Sequence, residues 1–146
     1  MFSMMVDNDI RKCVSVIVLD VPQKRVLLGY RLGYHCPRIL AFPRGKIDNE
    51  ESYLECAKRK LSEETGLALR FLDNNPCATT RDVFPNQIYD TFYFRALWDQ
   101  KQVPILDKTN EFREFRWMHW EHLSKTEEPL FLPVENLIET GYNPFQ

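Results

Sequence analysis

Residues 45–67, GKIDNEESYLECAKRKLSEETGL, decide how the rest of this 146-residue chain reads. Ser52 followed by Glu55 is a capping box, in which each side chain satisfies an orphan backbone N–H at a helix start. Leu54, Ala57 and Leu61 recur at i, i+3 and i+7, an apolar stripe facing a core. Gly66 stands where a left-handed C-terminal cap belongs. The spacing predicts one short helix, introduced by a glycine-bearing loop, FPRGK, at residues 42–46. Glu51, Glu55, Arg59 and Glu63 follow at steps of four and are expected on one face, off the apolar stripe, with Glu64 beside them. Glu63 and Glu64 then share the last turn, where they repel each other and meet the negative end of the helix macrodipole. A bound divalent cation relieves that conflict. A solvated acidic face balanced by Lys58, Arg59 and Lys60 is the alternative.

The same stretch resembles the Nudix box, G-x5-E-x7-R-E-U-x-E-E-x-G-U, where U is a bulky aliphatic residue. Gly45, Glu51, Arg59, Leu61, Glu63, Glu64, Gly66 and Leu67 fall in register, eight of the nine defined positions. The ninth departs: Lys60 stands where the pattern has glutamate. In the family that glutamate is commonly a metal ligand, so the exception falls at the chemistry.

Working outward, composition sets the frame. Hydrophobic residues make up 44% and charged residues 27%, an ordinary globular balance, and 146 residues suffice for one sizeable core. The expectation is a single domain over residues 1–146. A net charge of −2 argues against a chain built to coat nucleic acid. No apolar run approaches the ~20 residues of a membrane span, and no secretory signal is visible at the start. Cys13, Cys36, Cys56 and Cys77 are isolated, so zinc is not expected and reduced thiols in a cytoplasmic setting are.

Residues 13–19, CVSVIVL, read as a buried strand, residues 21–24 as a turn, and residues 25–31 as its hairpin partner. Residues 32–38 read as a loop offering Arg31, Tyr34, His35 and Arg38. Residues 40–42 form a short strand entering the Gly45 loop. After the box helix come a strand at 68–72, a turn at 73–76, a loop at 81–87 and a long aromatic-rich strand at 88–98. Residues 99–109 connect to a short strand at 115–118 and one helical turn at 120–123. Pro133 suits the first position of a last helix, over 134–140, ended by Gly141. Strands on both sides of a central helix suggest a mixed sheet between helices. The resemblance implies the same architecture, the Nudix α/β/α sandwich.

The resemblance implies an enzyme hydrolysing a nucleoside diphosphate linked to another group, using Mg²⁺, with Mn²⁺ as a substitute. It places Glu63 and Glu64 on the metal with the Gly45 carbonyl, Arg59 as their organiser, and Glu111 as the acidic residue reaching in from a late strand, with Glu114 its competitor. Glu51 and Arg59 are expected to form an ion pair. Arg44 and Lys46 are candidates for phosphate oxygens, or else solvated loop charges. Arg31 and Tyr34 are further substrate candidates. Tyr34, Phe84, Trp98 and Trp117 are candidates to stack a base, or else core.

Residues 139–145, with residues 25–29 and 55–57, are similar to MutT-type nucleotide-triphosphate diphosphatases, those acting on thiopurine nucleotides among them. The resemblance therefore favours a (d)NTP cleaved to monophosphate and pyrophosphate. Residues 42–47 instead look like the start of the box in mRNA-decapping Nudix enzymes, which keeps a cap or RNA 5′-end substrate in view. A third reading is a weakened, nucleotide-binding regulator in which the Lys60 ammonium pairs with Glu63 or Glu64 in place of a metal. No membrane partner is expected, and a homodimer is left open.

Overall fold

The structure, a computed structural model, describes residues 9–31, 38–48, 50–106 and 112–146. Its centre is the pairing of β1 (Ile10–Asp20) with β7 (Ile88–Leu97), parallel and in register from Ile10 opposite Ile88 to Leu19 opposite Leu97. β2 (Arg25–Arg31) folds back on β1 as its hairpin partner, and β3 (Ile39–Ala41) and β8 (Glu114–His119) both pair with β2. β5 (Arg70–Phe71) and β6 (Ala78–Val83) both pair with β7, and β4 (Arg44–Lys46) pairs with β1. The result is one mixed sheet.

Helices cover both faces, and the alternation of β1 shows why its sequence is almost continuously apolar. Val14, Val16 and Val18 pack with Cys56, Ala57 and Leu61 of α1 (Tyr53–Thr65). Ile17 and Leu19 face the other way, into a cluster with Leu123 of α2 (Trp120–Leu123) and Val134 and Leu137 of α3 (Leu132–Glu139). A strand buried on both faces has no polar side to show. This is the expected α/β/α sandwich.

The local signals in α1 act as the sequence implies. Ser52 Oγ accepts the Glu55 N–H at 3.1 Å while Glu55 Oε1 accepts the Ser52 N–H at 3.0 Å. Gly66 closes the helix at φ 72°, a left-handed conformation that a side chain disfavours.

Four expectations need correction. Residues 81–83 are not loop but the end of β6, fixed by antiparallel pairing to β7 and by Asp82, a fully buried carboxylate bonded to Thr91 and Asn136. Residues 44–46 are a strand, because β1 extends far enough to pair with them opposite Cys13, Val14 and Ser15. The strand at 68–72 shrinks to Arg70–Phe71. Glu51 precedes the helix instead of riding on it, so its approach to Arg59 is made from the chain leading into the helix.

Candidate active site

Arg59 is the hub of the box. Its Nε donates to Glu51 Oε2 at 2.9 Å and its Nη2 to Glu51 Oε1 at 2.6 Å, a bidentate fork. Its Nη1 donates to Glu63 Oε1 at 2.9 Å, and Nη2 also reaches the Lys46 carbonyl at 3.3 Å. One guanidinium thus joins the segment before α1, the last turn of α1 and strand β4. Hydrogen bonds from Arg59, helped by the Asp48 N–H, hold the Glu51 carboxyl at about 2. The Arg59 bond likewise lowers Glu63, with Lys60 adding to it, and the two carboxylates raise Arg59.

Lys60, at the departing position, lies across Gly45. A Cβ built on Gly45 would sit 2.2 Å from Lys60 Cε, 2.5 Å from Cδ and 2.7 Å from Cγ. The lysine stem therefore occupies the space that a side chain at 45 would need. Its ammonium ends 3.2 Å from Glu63 Oε2.

Glu63 and Glu64 diverge, which corrects the expectation that Glu64 lies beside Glu63 off the apolar stripe. The Glu63 side chain is 45% exposed, whereas Glu64 is only 4% exposed and accepts the Arg44 backbone N–H on Oε1 at 2.8 Å. Glu64 follows Leu61 by three residues and Ala57 by seven, so it continues the stripe that faces the sheet. Glu55 is committed to the helix cap.

Beside this cluster opens a cavity of about 1020 Å³. Arg44, Gly45, Lys46, Asp48, Arg59 and Lys60, from β4 and the box, line it. Phe84, Tyr89, Leu130 and Phe131, from the β6–β7 turn, β7 and the chain into α3, line it as well, with Glu135 of α3. Arg44 links them: its guanidinium lies 5.0 Å from the Phe131 ring centre and 5.5 Å from that of Tyr89. Arg31 approaches Phe131 as well, at 4.9 Å, and Phe84 packs on both Tyr89 and Phe131. Arg44 Nη1 is buried and has no hydrogen-bond acceptor among the described residues, a donor that a ligand oxygen in the cavity would satisfy.

Of the sequence candidates, Arg31, Arg44, Gly45, Lys46, Arg59 and Phe84 line this cavity; Glu63 and Glu64 are not in its described lining. Tyr34, His35, Cys36 and Glu111 lie outside the described residues. Glu114 bonds to Arg38 at 3.0 Å on a separate, smaller cavity of about 400 Å³. Trp98 and Trp117 pack on each other in a tilted pair, ring centres 4.5 Å apart, against the α1 core. Tyr89 and Phe131 escape a reading of the sequence, since nothing local marks an aromatic before a helix as a pocket wall.

The carboxylates of Glu63 and Glu64 and the Gly45 carbonyl are oxygen donors only, the kind a hard divalent cation takes. They fit such an ion in kind. Glu63, however, already carries two cationic side chains, and no group of three acidic, histidine or cysteine side chains suited to a metal occurs among the described residues. None of the described helices is long and apolar enough to cross a membrane.

Comparison with known proteins identifies the family and the fold. The family model of the Nudix domain matches residues 9–137. An RNA pyrophosphohydrolase from Caulobacter vibrioides is 30% identical over 131 residues, covering 82% of this chain and 76% of that protein. The fold superposes on a MutT Nudix hydrolase from Burkholderia pseudomallei at a TM-score of 0.72 and 18% identity, covering 88% of this chain and 95% of that one. It also superposes on the Nudix domain of Shewanella oneidensis NrtR complexed with ADP ribose, at 0.68 and 21%, covering 90% and 86%.

Proposed function

The chain belongs to the Nudix family of hydrolases, and from that premise we propose that it is a divalent-cation-dependent pyrophosphohydrolase of free nucleotides, cleaving a (d)NTP to the monophosphate and pyrophosphate. The observation that carries this reading is the division of the cavity's lining between cationic side chains, Arg44, Lys46, Arg59 and Lys60, and aromatic ones, Phe84, Tyr89 and Phe131, joined where Arg44 meets two of the rings. A nucleoside triphosphate has that same division, with charged oxygens at one end and a flat π-face at the other. Arg44 and Lys46 meet phosphate oxygens, the former through a buried donor that lacks an acceptor among the described residues. Phe131 and Phe84 offer the base a face, and Arg31 adds a second guanidinium to it. Arg59 positions Glu63.

The hydrolysis itself adds water oxygen to the α-phosphorus and breaks the bridging P–O bond, with the electron pair leaving on pyrophosphate and the water's proton released to solvent. A Mg²⁺ or Mn²⁺ ion held by Glu63, Glu64 and the Gly45 carbonyl would supply positive charge against the phosphate oxygens and acidify the attacking water. Glu111 is the candidate for a further carboxylate.

A second reading has its own support: the Caulobacter relative is an RNA pyrophosphohydrolase. The two readings separate in one assay. Purified protein with Mg²⁺ is given nucleoside triphosphates, a 5′-triphosphorylated oligonucleotide and capped RNA, and products are resolved by chromatography. Turnover of free nucleotides at least tenfold above the RNA substrates is the expected result; the reverse order sinks the nucleotide reading.

A further inference from the structure

The position that departs from the box is not a bare loss. The Lys60 stem lies along Gly45 through three consecutive methylenes, a contact that exists because residue 45 has no side chain. A lysine free to wander in solvent leaves its ammonium unplaced; one whose stem is seated on the backbone delivers it to a fixed point. Here that point is Glu63 Oε2, at 3.2 Å, on the carboxylate whose other oxygen is held by Arg59 at 2.9 Å. Lys60 also lines the substrate cavity together with Gly45 and Arg59.

We propose that Lys60 is a resident cation of the active site, occupying the place on Glu63 that a divalent ion would take. Metal binding at Glu63 is then a competition: the ion must displace the ammonium, and the protein needs more free metal than its neighbouring carboxylates suggest. An exposed ion pair alone is worth little in stability. What gives this one its effect is placement, since an ammonium on the same oxygen excludes an ion by charge and by contact. When metal is scarce the site keeps its charge balance through Lys60, and Glu63 stays ordered between two cations. This inference rests on the reading that Glu63 holds the metal.

The test is Mn²⁺ binding, followed by the loss of the free-ion signal in electron paramagnetic resonance, on the full chain. Lys60→Met keeps a stem of similar length on Gly45 and removes the charge; Lys60→Glu adds a carboxylate. Relative to the natural chain, Mn²⁺ should bind about tenfold more tightly to the Met variant, and tighter again, with one more ion per chain, to the Glu variant. The gain should disappear when Glu63→Gln is combined with Lys60→Met. Equal affinity in all three proteins overturns the proposal, as does a gain that survives Glu63→Gln. Melting temperatures within a few degrees of each other confirm that the variants are folded. Should none of the proteins bind Mn²⁺ while nucleotide hydrolysis persists, the metal assignment falls and this inference with it. If hydrolysis of free nucleotides fails but Lys60→Met still tightens Mn²⁺, only the substrate reading is lost.

Discussion

Glu63 and Glu64 are neighbours with opposite structural duties, and truncating each in turn exposes the difference. Glu64 is 4% exposed and accepts the Arg44 N–H at 2.8 Å, so it ties the last turn of α1 to β4. A hydrogen bond to a charged group contributes ~1.5–3 kcal/mol, and the buried methylene lost in Glu64→Ala adds ~0.8 kcal/mol. Relief from desolvating the carboxylate offsets part of that sum. A net loss of about 2 kcal/mol is expected, which at ~2–4 °C per kcal/mol for a chain of this size lowers Tm by about 4–8 °C. Glu64→Gln keeps an oxygen for Arg44 and should cost under ~1 kcal/mol while abolishing metal-dependent hydrolysis. Glu63→Ala touches a side chain 45% exposed and paired only at the surface, and should stay within ~0.5 kcal/mol. Urea unfolding of the three variants, followed by tryptophan fluorescence, puts their stabilities on one scale, and pyrophosphate release on nucleotide turnover reads the hydrolysis. Glu64→Ala as stable as Glu63→Ala would refute the role of Glu64 as the tie between helix and strand.

Other consequences follow from single contacts. Phe131→Ala removes the ring under both Arg31 and Arg44, and since base stacking on an aromatic is worth ~1–3 kcal/mol, KM for a nucleoside triphosphate should rise about 5- to 150-fold with a smaller change in kcat; an unchanged KM would move the base elsewhere. The Glu51 carboxyl is held at about 2 by Arg59, so its charge, and the stability it lends, is complete above the usual carboxylate range near ~4.3 and is lost as pH falls toward 2. Carbon-detected NMR should find that titration at the acid extreme, and Arg59→Met should return it to the ordinary range; a normal midpoint in the natural chain would deny the ion pair. Asp82 is fully buried between Thr91 and Asn136 and fastens α3 to β6, so Asp82→Ala should lower stability by ~2–4 kcal/mol, measured by urea unfolding.

How far the sequence reveals this molecule depends on whether a feature is built from near or distant residues. α1 is legible because its caps and stripe are local: Ser52, Glu55 and Gly66 act within one turn of themselves. The Glu51–Arg59 pair is legible from the box, although the route is not, since Glu51 lies ahead of the helix. The cavity is less so. Arg44 and Phe131 stand far apart in the chain, and only the sheet, with Leu40 bridging to Leu130, brings them together. Lys60 over Gly45 is likewise a tertiary fact, invisible until β4 crosses the helix.

Glu64 is the instructive case, because its burial is written in the sequence and the family pattern draws attention away from it. Counting from Ala57 and Leu61 puts residue 64 on the core stripe by the same rule that puts those two there. A carboxylate on such a stripe must find a donor, since an unpaired buried charge is far too costly to keep. The nearest backbone able to provide one is the strand the helix packs on, and that is where the Arg44 N–H is found. The bond fixes the backbone of Arg44, whose guanidinium lies against Tyr89 and Phe131 in the cavity. A glutamate whose place in the pattern suggests a metal ligand therefore has a second, independent reason to be a glutamate: it sets the backbone geometry of a residue that lines the cavity. The two roles make different demands of the side chain, which is why Glu64→Gln, preserving one and not the other, separates them.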